Sequence, residues 1–141
     1  MKKIETDKLL GSLRLAHNID QYFKDNGDAL IDTNLSKALC KLAAEKELSK
    51  PEIFRLAEIN EIYGYQIFAG KRIPSRDKLI CLGFGMKLSS NEMQDLLKLA
   101  GMAPLYPKNV RDSIILFGFL HQQTLMAVNE ALFEKKQVIL G

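Results

Sequence analysis

Residues 48–76 read LSKPEIFRLAEINEIYGYQIFAGKRIPSR, and they carry two helix starts and one helix end in close succession. Ser49 can cap a helix because its hydroxyl accepts a hydrogen bond from the first turn, and Glu52 completes a capping box three residues later. Asn60 can cap a second helix. Gly70 suits the left-handed residue that ends this second helix. The stretch therefore predicts two short helices joined by a tight turn.

Helix signals continue on both sides of this pair. From Leu35 onward, apolar residues recur at the spacing of one helical face. After the pair, Ser75 can cap another helix, and Ser89 with Glu92 repeats the capping box. The predicted helices of this region are 35–47, 49–58, 60–69, one that begins after Ser75 and one that begins at Ser89.

The whole chain is predicted to be all-α, because strand alternation is scarce and prolines fall where helices begin or end. We expect about seven helices in three parts. Residues 1–33 form an N-terminal helical extension, residues 34–101 form the core, and residues 102–141 form C-terminal helices. Residues 114–120 are apolar almost all round, which calls for burial. They either join the core or form a dimer interface.

The composition limits the class of protein. A chain of 141 residues with 47% apolar content suits one domain with a core of its own. No apolar run approaches the roughly 20 residues of a membrane helix, and the first ten residues lack the apolar core of a secretory signal. We therefore expect a cytoplasmic protein with no membrane partner.

Chemistry-bearing residues are few and scattered. Cys40 and Cys81 both lie in apolar patterns, so we expect buried, reduced thiols. With His17 and His121 they show no zinc spacing, and we expect no metal and no cofactor. No Ser/His/Asp or Cys/His grouping and no glycine-rich nucleotide loop is recognisable, so we do not expect an enzyme.

Positive charge is concentrated after the second helix of the pair. The net charge of +3 is too small to indicate a nucleic-acid partner by itself. Between Lys71 and Lys78, however, four basic residues accompany a single acid. A helix start flanked by lysine and arginine is a plausible phosphate site.

At this point the sequence resembles the Xre family, the phage lambda repressor-like helix-turn-helix DNA-binding domains. The resemblance covers about residues 35–89, and the spacing from Ser49 to Gly70 fits the family without a gap. The matching residues are Leu48-Ser49, Glu52-Ile53, Ile59-Asn60, Ile67, Gly70-Lys71-Arg72 and Pro74-Ser75.

The resemblance implies a sequence-specific transcriptional regulator that binds double-stranded DNA as a homodimer. Its recognition helix, about residues 60–69, would enter the major groove. The residues implied at base edges are Glu61, Ile62, Tyr65 and Gln66. The residues implied at the DNA backbone are Lys50, Tyr63, Lys71, Arg72 and Arg76. The alternative is a protein-interaction module on the same fold, with Ile62, Tyr63 and Tyr65 as its contact surface.

Four positions depart from the family pattern. Phe54 replaces a small alanine, and Gly64 replaces a branched apolar residue that faces it. We therefore predict that the Phe54 ring fills the space left at Gly64. Glu58 replaces a turn glycine, where a positive φ would suit glutamate poorly and reshape the turn. Phe68 replaces a frequent glutamate, and we expect it to be buried.

Overall fold

The computed structural model describes residues 6–26 and 34–141, and within these ranges all regular structure is helical. The helices are α1 (Thr6–Leu15), α2 (Ile19–Asn26), α3 (Leu35–Glu45), α4 (Lys50–Ala57), α5 (Glu61–Phe68), α6 (Arg76–Gly85), α7 (Ser90–Leu99), α8 (Val110–Leu120) and α9 (Leu125–Glu134). The all-α prediction is confirmed for these residues.

The expected number of about seven helices is wrong, since the described residues form nine. Each flanking segment holds two short helices, because a polar side chain starts a new one. Asn18 accepts a hydrogen bond from the N–H of Gln21 at 2.8 Å, and Thr124 accepts one from the N–H of Ala127 at 3.2 Å. Such caps satisfy the free N–H groups of a helix start.

The chain forms two compact units, Met1–Asp32 and Thr33–Gly141. In the first unit, α1 and α2 pack against each other. The predicted limit of the N-terminal extension, residue 33, lies outside the described residues. In the second unit, α8 and α9 join α3 to α7 in one compact body.

The predicted helix starts in the second unit are confirmed. Ser49, Asn60, Ser75 and Ser89 are each an N-cap whose side chain accepts a backbone hydrogen bond from the first turn. The capping box at Ser89 is complete, since the Ser89 N–H also donates to Glu92 at 2.9 Å. Lys46, the residue that follows α3, donates to the same carboxylate at 2.8 Å, and these hydrogen bonds lower the pKa of Glu92 below its ordinary value of 4.5.

Helix α6 is the centre of the second unit, and every residue from 79 to 85 is buried. It packs closely on α4 because Gly85 has no side chain. A Cβ on Gly85 would lie 2.5 Å from the Ile53 carbonyl oxygen. The largest fully buried side chains around α6 form one core: Leu39, Ile53, Phe54, Ile67, Leu79, Ile80, Leu82, Met86, Met93, Leu97, Ile115 and Leu132.

Two reciprocal ion pairs, which we call the double clamp, join the start of α6 to the start of α8. Arg76 pairs with Asp112 at 3.0 Å, and Arg111 pairs with Asp77 at 2.9 Å. In both pairs, the two guanidinium NH groups reach both carboxylate oxygens. Bidentate pairs of this kind fix orientation as well as distance. The double clamp therefore holds α8 in one orientation on α6.

The two cysteines lie in different environments. Cys81 is buried as predicted, and burial raises the pKa of its thiol to about 11, so it is an unreactive group. Cys40 is exposed, so the prediction of a buried side chain is wrong for this residue. Its thiol donates to the Phe68 carbonyl at the end of α5 at 3.6 Å, while the residue remains open to solvent.

Candidate nucleic-acid interface

Helix α5 presents four of the predicted residues at its surface, and we call them the α5 face: Glu61, Ile62, Tyr65 and Gln66. Ile62 is 71% exposed and Tyr65 is 43% exposed. Glu61 is also exposed, and Gln66 is half-buried. The opposite side of α5, made by Gly64, Ile67 and Phe68, is buried. The helix therefore rests on the core by one side and offers a mixed apolar and polar side to a partner.

Phe54 of α4 packs directly against Gly64, as predicted. A Cβ on Gly64 would lie 2.6 Å from two carbon atoms of the Phe54 ring, so only glycine fits this position without movement. The same ring meets Tyr65 and Phe68 edge-on, with centroid distances of 5.1 and 5.5 Å. Phe68 is buried as predicted. These aromatic contacts hold the partly exposed Tyr65 ring in place on the α5 face.

Two cations lie over aromatic rings of α5, and we call them the flanking cations. The Lys50 ammonium at the start of α4 lies 5.7 Å from the centre of the Phe68 ring. The Arg72 guanidinium lies 5.3 Å from the centre of the Tyr63 ring. Both residues are exposed, so each charge is positioned by a ring and still open to solvent. Tyr63 itself is half-buried and packs against the core.

The turn after α5, residues 70–75, carries two of the predicted backbone-binding residues, Lys71 and Arg72, and both are exposed. Gly70 adopts a φ of 78°, and the next N–H, that of Lys71, donates to the Gln66 carbonyl at 2.9 Å. This termination ties the turn to the last turn of α5. The sequence patterns did not single out Ile73, which is 81% exposed and immediately precedes the buried Pro74.

Arg76 lies in a different environment from the other predicted residues. Its Nε donates to the Ala103 carbonyl at 2.9 Å, and its NH groups engage Asp112. The reason is that Asp112, only 8% exposed, is the buried charged residue of the described structure, and a buried carboxylate needs a cation. The resemblance implied a DNA-backbone role for Arg76, but its donors are engaged within the fold, and we leave it out of the interface.

The turn between α4 and α5 keeps a regular shape despite its glutamate. Glu58 adopts φ 54° and ψ 42°, the left-handed conformation that glycine favours. The expected reshaping of this turn is therefore wrong. The Glu58 N–H donates to the Arg55 carbonyl at 3.3 Å, and the Ile59 N–H donates to the Phe54 carbonyl at 3.0 Å. These bonds terminate α4 and set the direction in which α5 departs.

The charge of this surface is unevenly divided. Within α5 the charged residue is Glu61, which lies in the first turn, where the helix dipole favours an acid. The positive charge lies at the flanks, on Lys50, Lys71 and Arg72. This arrangement places positive charge at the edges of the surface and leaves apolar and hydrogen-bonding side chains at its centre.

No protein-family model, no curated protein and no solved structure matches the chain. Within residues 6–26 and 34–141, no group of three or more His, Cys, Asp and Glu side chains is placed to hold a metal ion. The helices of those ranges also include none that is long and apolar enough to cross a membrane. A functional conclusion therefore has to come from the side chains of the α5 face and its surroundings.

Proposed function

We propose that this protein is a sequence-specific DNA-binding transcriptional regulator of the Xre type. In this proposal α4 and α5 form a helix-turn-helix, and α5 enters the major groove. The flanking cations are the observation that supports it best. Lys50 and Arg72 come from different segments, yet each lies over a ring of α5. Positive charge is thus held next to two rings of one partly exposed helix, and a helix in a groove between two phosphate strands would benefit from such charge.

The α5 face offers the contacts that read base edges. Gln66 can make a bidentate contact to adenine, and Ile62 can touch a thymine methyl group. Glu61 can accept a hydrogen bond from the amino group of cytosine. Tyr65 adds a ring that is fixed edge-on against Phe54 at 5.1 Å. With no basic residue on α5 itself, the proposed discrimination comes from hydrogen bonds and methyl contacts rather than from positive charge.

The proposed affinity comes from the flanking cations and Lys71. Each phosphate that a basic side chain neutralises releases condensed counterions, so binding weakens as salt rises. Three such side chains give a weak to moderate dependence on salt. The exposed Glu61 opposes the phosphates, so we expect binding that is clearest at low ionic strength.

Replacing Lys71 and Arg72 together with alanine tests the phosphate contacts. The variant loses two counterion-releasing contacts, so the slope of log K against log salt concentration should fall by about 2, with uniform weakening across sequences. Gln66→Ala should instead leave the slope unchanged and reduce discrimination at one base pair by about 1–3 kcal/mol. Fluorescence anisotropy with labelled duplexes over a series of salt concentrations measures both quantities.

The matched control is Lys87→Ala with Lys135→Ala. Both lysines are exposed and lie outside α4, α5 and the turn that follows, so the net charge changes equally while the proposed surface is intact. The control should bind with an unchanged salt slope. An equal loss in the control and in the Lys71/Arg72 variant would mean that only the overall charge matters, which contradicts the proposed contacts.

A protein partner is the second candidate, and the exposed apolar residues favour it. Ile62 and Tyr65 of the α5 face are 71% and 43% exposed, and Ile73 in the turn after α5 is 81% exposed. Apolar and aromatic residues of this kind are typical of protein interfaces. The two candidates differ in one observable: a protein interface would leave DNA unbound even at low salt, whereas the proposed regulator binds.

A further inference from the structure

A cleft of about 270 Å³ lies in the second unit, where α4, the end of α6, the end of α8 and the start of α9 meet. Apolar side chains that are buried or half-buried make its floor: Leu56, Phe84, Leu88, Phe119 and Leu125. The core of the second unit thus leaves an apolar space open to solvent at this point. A concave, mostly apolar surface with a few polar groups is the usual form of a small-molecule site.

The rim of the cleft is polar and comes from two turns. The turn after α6 contributes Lys87, and the turn between α8 and α9 contributes Gln122, Gln123 and Thr124. The Gln123 N–H donates to the Gly118 carbonyl at 2.8 Å, which fixes the second turn against the end of α8. Among the described residues, the side-chain amides of Gln122 and Gln123 form no hydrogen bond. These amides are therefore free to bind a ligand.

The charge of the rim favours an anion. Lys87 is the charged residue of the lining, is exposed and takes part in none of the ion pairs between described residues. Helix α9 also begins at this rim, because Thr124 is its N-cap. The partial positive charge of a helix start adds to the charge of the lysine. A negative group at the rim is thus attracted, whereas a positive group is repelled.

The floor of the cleft suits a flat ring. The Phe84 and Phe119 rings stack with their centroids 3.9 Å apart and their planes 12° apart. A further ring can pack against such a pair by offset stacking or edge-on. Since a closed apolar cavity of about 150 Å³ accepts benzene, this larger cleft has room for one ring or two fused rings. A protein helix is about 10 Å across, so the cleft suits a small molecule better than a helical partner.

We propose that this cleft binds a small aromatic carboxylate. The ring lies on the floor against Phe84 and Phe119, and the carboxylate lies at the rim beside Lys87. The ammonium of Lys87 and the amide groups of Gln122 and Gln123 donate hydrogen bonds to the carboxylate oxygens. The α5 face, the flanking cations and Lys71 contribute nothing to this lining. Ligand binding can therefore be measured without DNA, whatever the outcome of the DNA-binding experiments.

Titration calorimetry of the full chain with 2-naphthoate tests the proposal, with 2-naphthamide as a probe that has the same rings and no charge. The dissociation constant of 2-naphthoate should lie below about 1 mM. That of 2-naphthamide should be about fivefold higher, because it forms no ion pair with Lys87 at the solvent-exposed rim. Equal affinity for the two probes, or no binding of 2-naphthoate up to about 5 mM, overturns the proposal.

Replacing Lys87 with alanine tests the role of the charge. Lys87→Ala should weaken 2-naphthoate by about fivefold and leave 2-naphthamide unchanged. Lys135→Ala is the matched control, since this exposed lysine follows α9 and does not line the cleft. Both lysines are exposed, so neither substitution disturbs the core. An equal effect of the two substitutions on 2-naphthoate contradicts a specific contact with Lys87.

Filling the cleft tests the position of the rings. Leu56→Trp should abolish binding of both probes, whereas Leu42→Trp, the same change at a half-buried leucine of α3, should not. Far-UV circular dichroism checks that both variants remain helical. In the unaltered protein, 2-naphthoate should shift the amide NMR signals of the lining most, above all those of Gly118, Gln122, Gln123 and Leu125. Shifts centred on Lys71 and Arg72 instead would place the anion at the proposed DNA surface and overturn the assignment to the cleft.

Discussion

The contact between Phe54 and Gly64 determines how closely α5 rests on α4. A Cβ on Gly64 would lie 2.6 Å from the Phe54 ring, well inside van der Waals contact. Phe54 and Gly64 therefore fill a single packing site between the two helices. Because the Phe54 ring also positions Tyr65, a substitution at Gly64 should alter the α5 face as well as the core.

Gly64→Ile should lower the free energy of unfolding by about 2–3 kcal/mol, because the added side chain overpacks the space that Phe54 fills. Phe54→Ala alone should cost about 3–5 kcal/mol through the cavity it leaves. The double variant should be more stable than the sum of these losses predicts, since isoleucine then occupies the vacated space. Urea denaturation followed by circular dichroism gives all three values. Strictly additive losses would show that the two residues do not share one packing site.

Helix starts were predictable from sequence, and so was the end of α5 at Gly70, whereas the pairings between distant residues were not. Ser49, Asn60, Ser75 and Ser89 act through hydrogen bonds within their own first turns, so local sequence contains the signal. Several helices end with a non-glycine residue in the left-handed region, which has no such signal: Glu47, Glu58, Lys87, Gln122 and Lys136.

The sequence did not predict the double clamp, because this pairing depends on residues that are distant in the chain. Arg76 and Asp112 are 36 residues apart, and no local pattern indicates their pairing. From sequence, the position of Arg76 in a basic segment favoured a phosphate contact. In the fold, the nearly buried Asp112 and the carbonyls of Ala103 and Pro104 engage its Nε and both of its NH groups. The contacts that Arg76 makes within the fold therefore could not be predicted from its neighbours in sequence.

Arg76→Ala should lower the free energy of unfolding by about 2–3 kcal/mol, because it leaves the Asp112 carboxylate nearly buried and without its cation. Lys41→Ala is the comparison. Lys41 pairs with Glu45 at 3.9 Å, and their side chains are 78% and 54% exposed, so its loss should cost at most about 0.5 kcal/mol. Thermal and urea unfolding measure the two changes. Equal effects of the two substitutions would contradict a structural role for the double clamp.

The second unit keeps the α5 face apart from its C-terminal helices. The α5 face lies on the helix that packs against α3 and α4, whereas α8 packs against α7 and α9. Helix α6 lies between the two groups, contacts both α4 and α9, and is buried along most of its length.

For the whole molecule the sequence itself predicted the all-α class, whereas DNA as a partner followed only from the resemblance. A net charge of +3 excludes few classes of partner. The resemblance that implied DNA rests on residues of the core alone. The flanking cations became visible only in three dimensions, because Lys50 and Arg72 are separated in sequence and meet rings on a shared helix. The exposure of Phe117 was likewise undetermined, since an apolar run fits either a core or an interface.

Selection from a pool of random duplex DNA at low salt, followed by sequencing, addresses the proposed function most directly. We expect enrichment of one sequence with two-fold symmetry, with half-sites about 10 base pairs apart or a multiple of that spacing. The Lys71/Arg72 alanine variant should enrich it less, and Gln66→Ala should accept more sequences at one position in each half-site. If the wild type retains no DNA sequence above the background of the random pool, the protein is not a sequence-specific DNA-binding regulator.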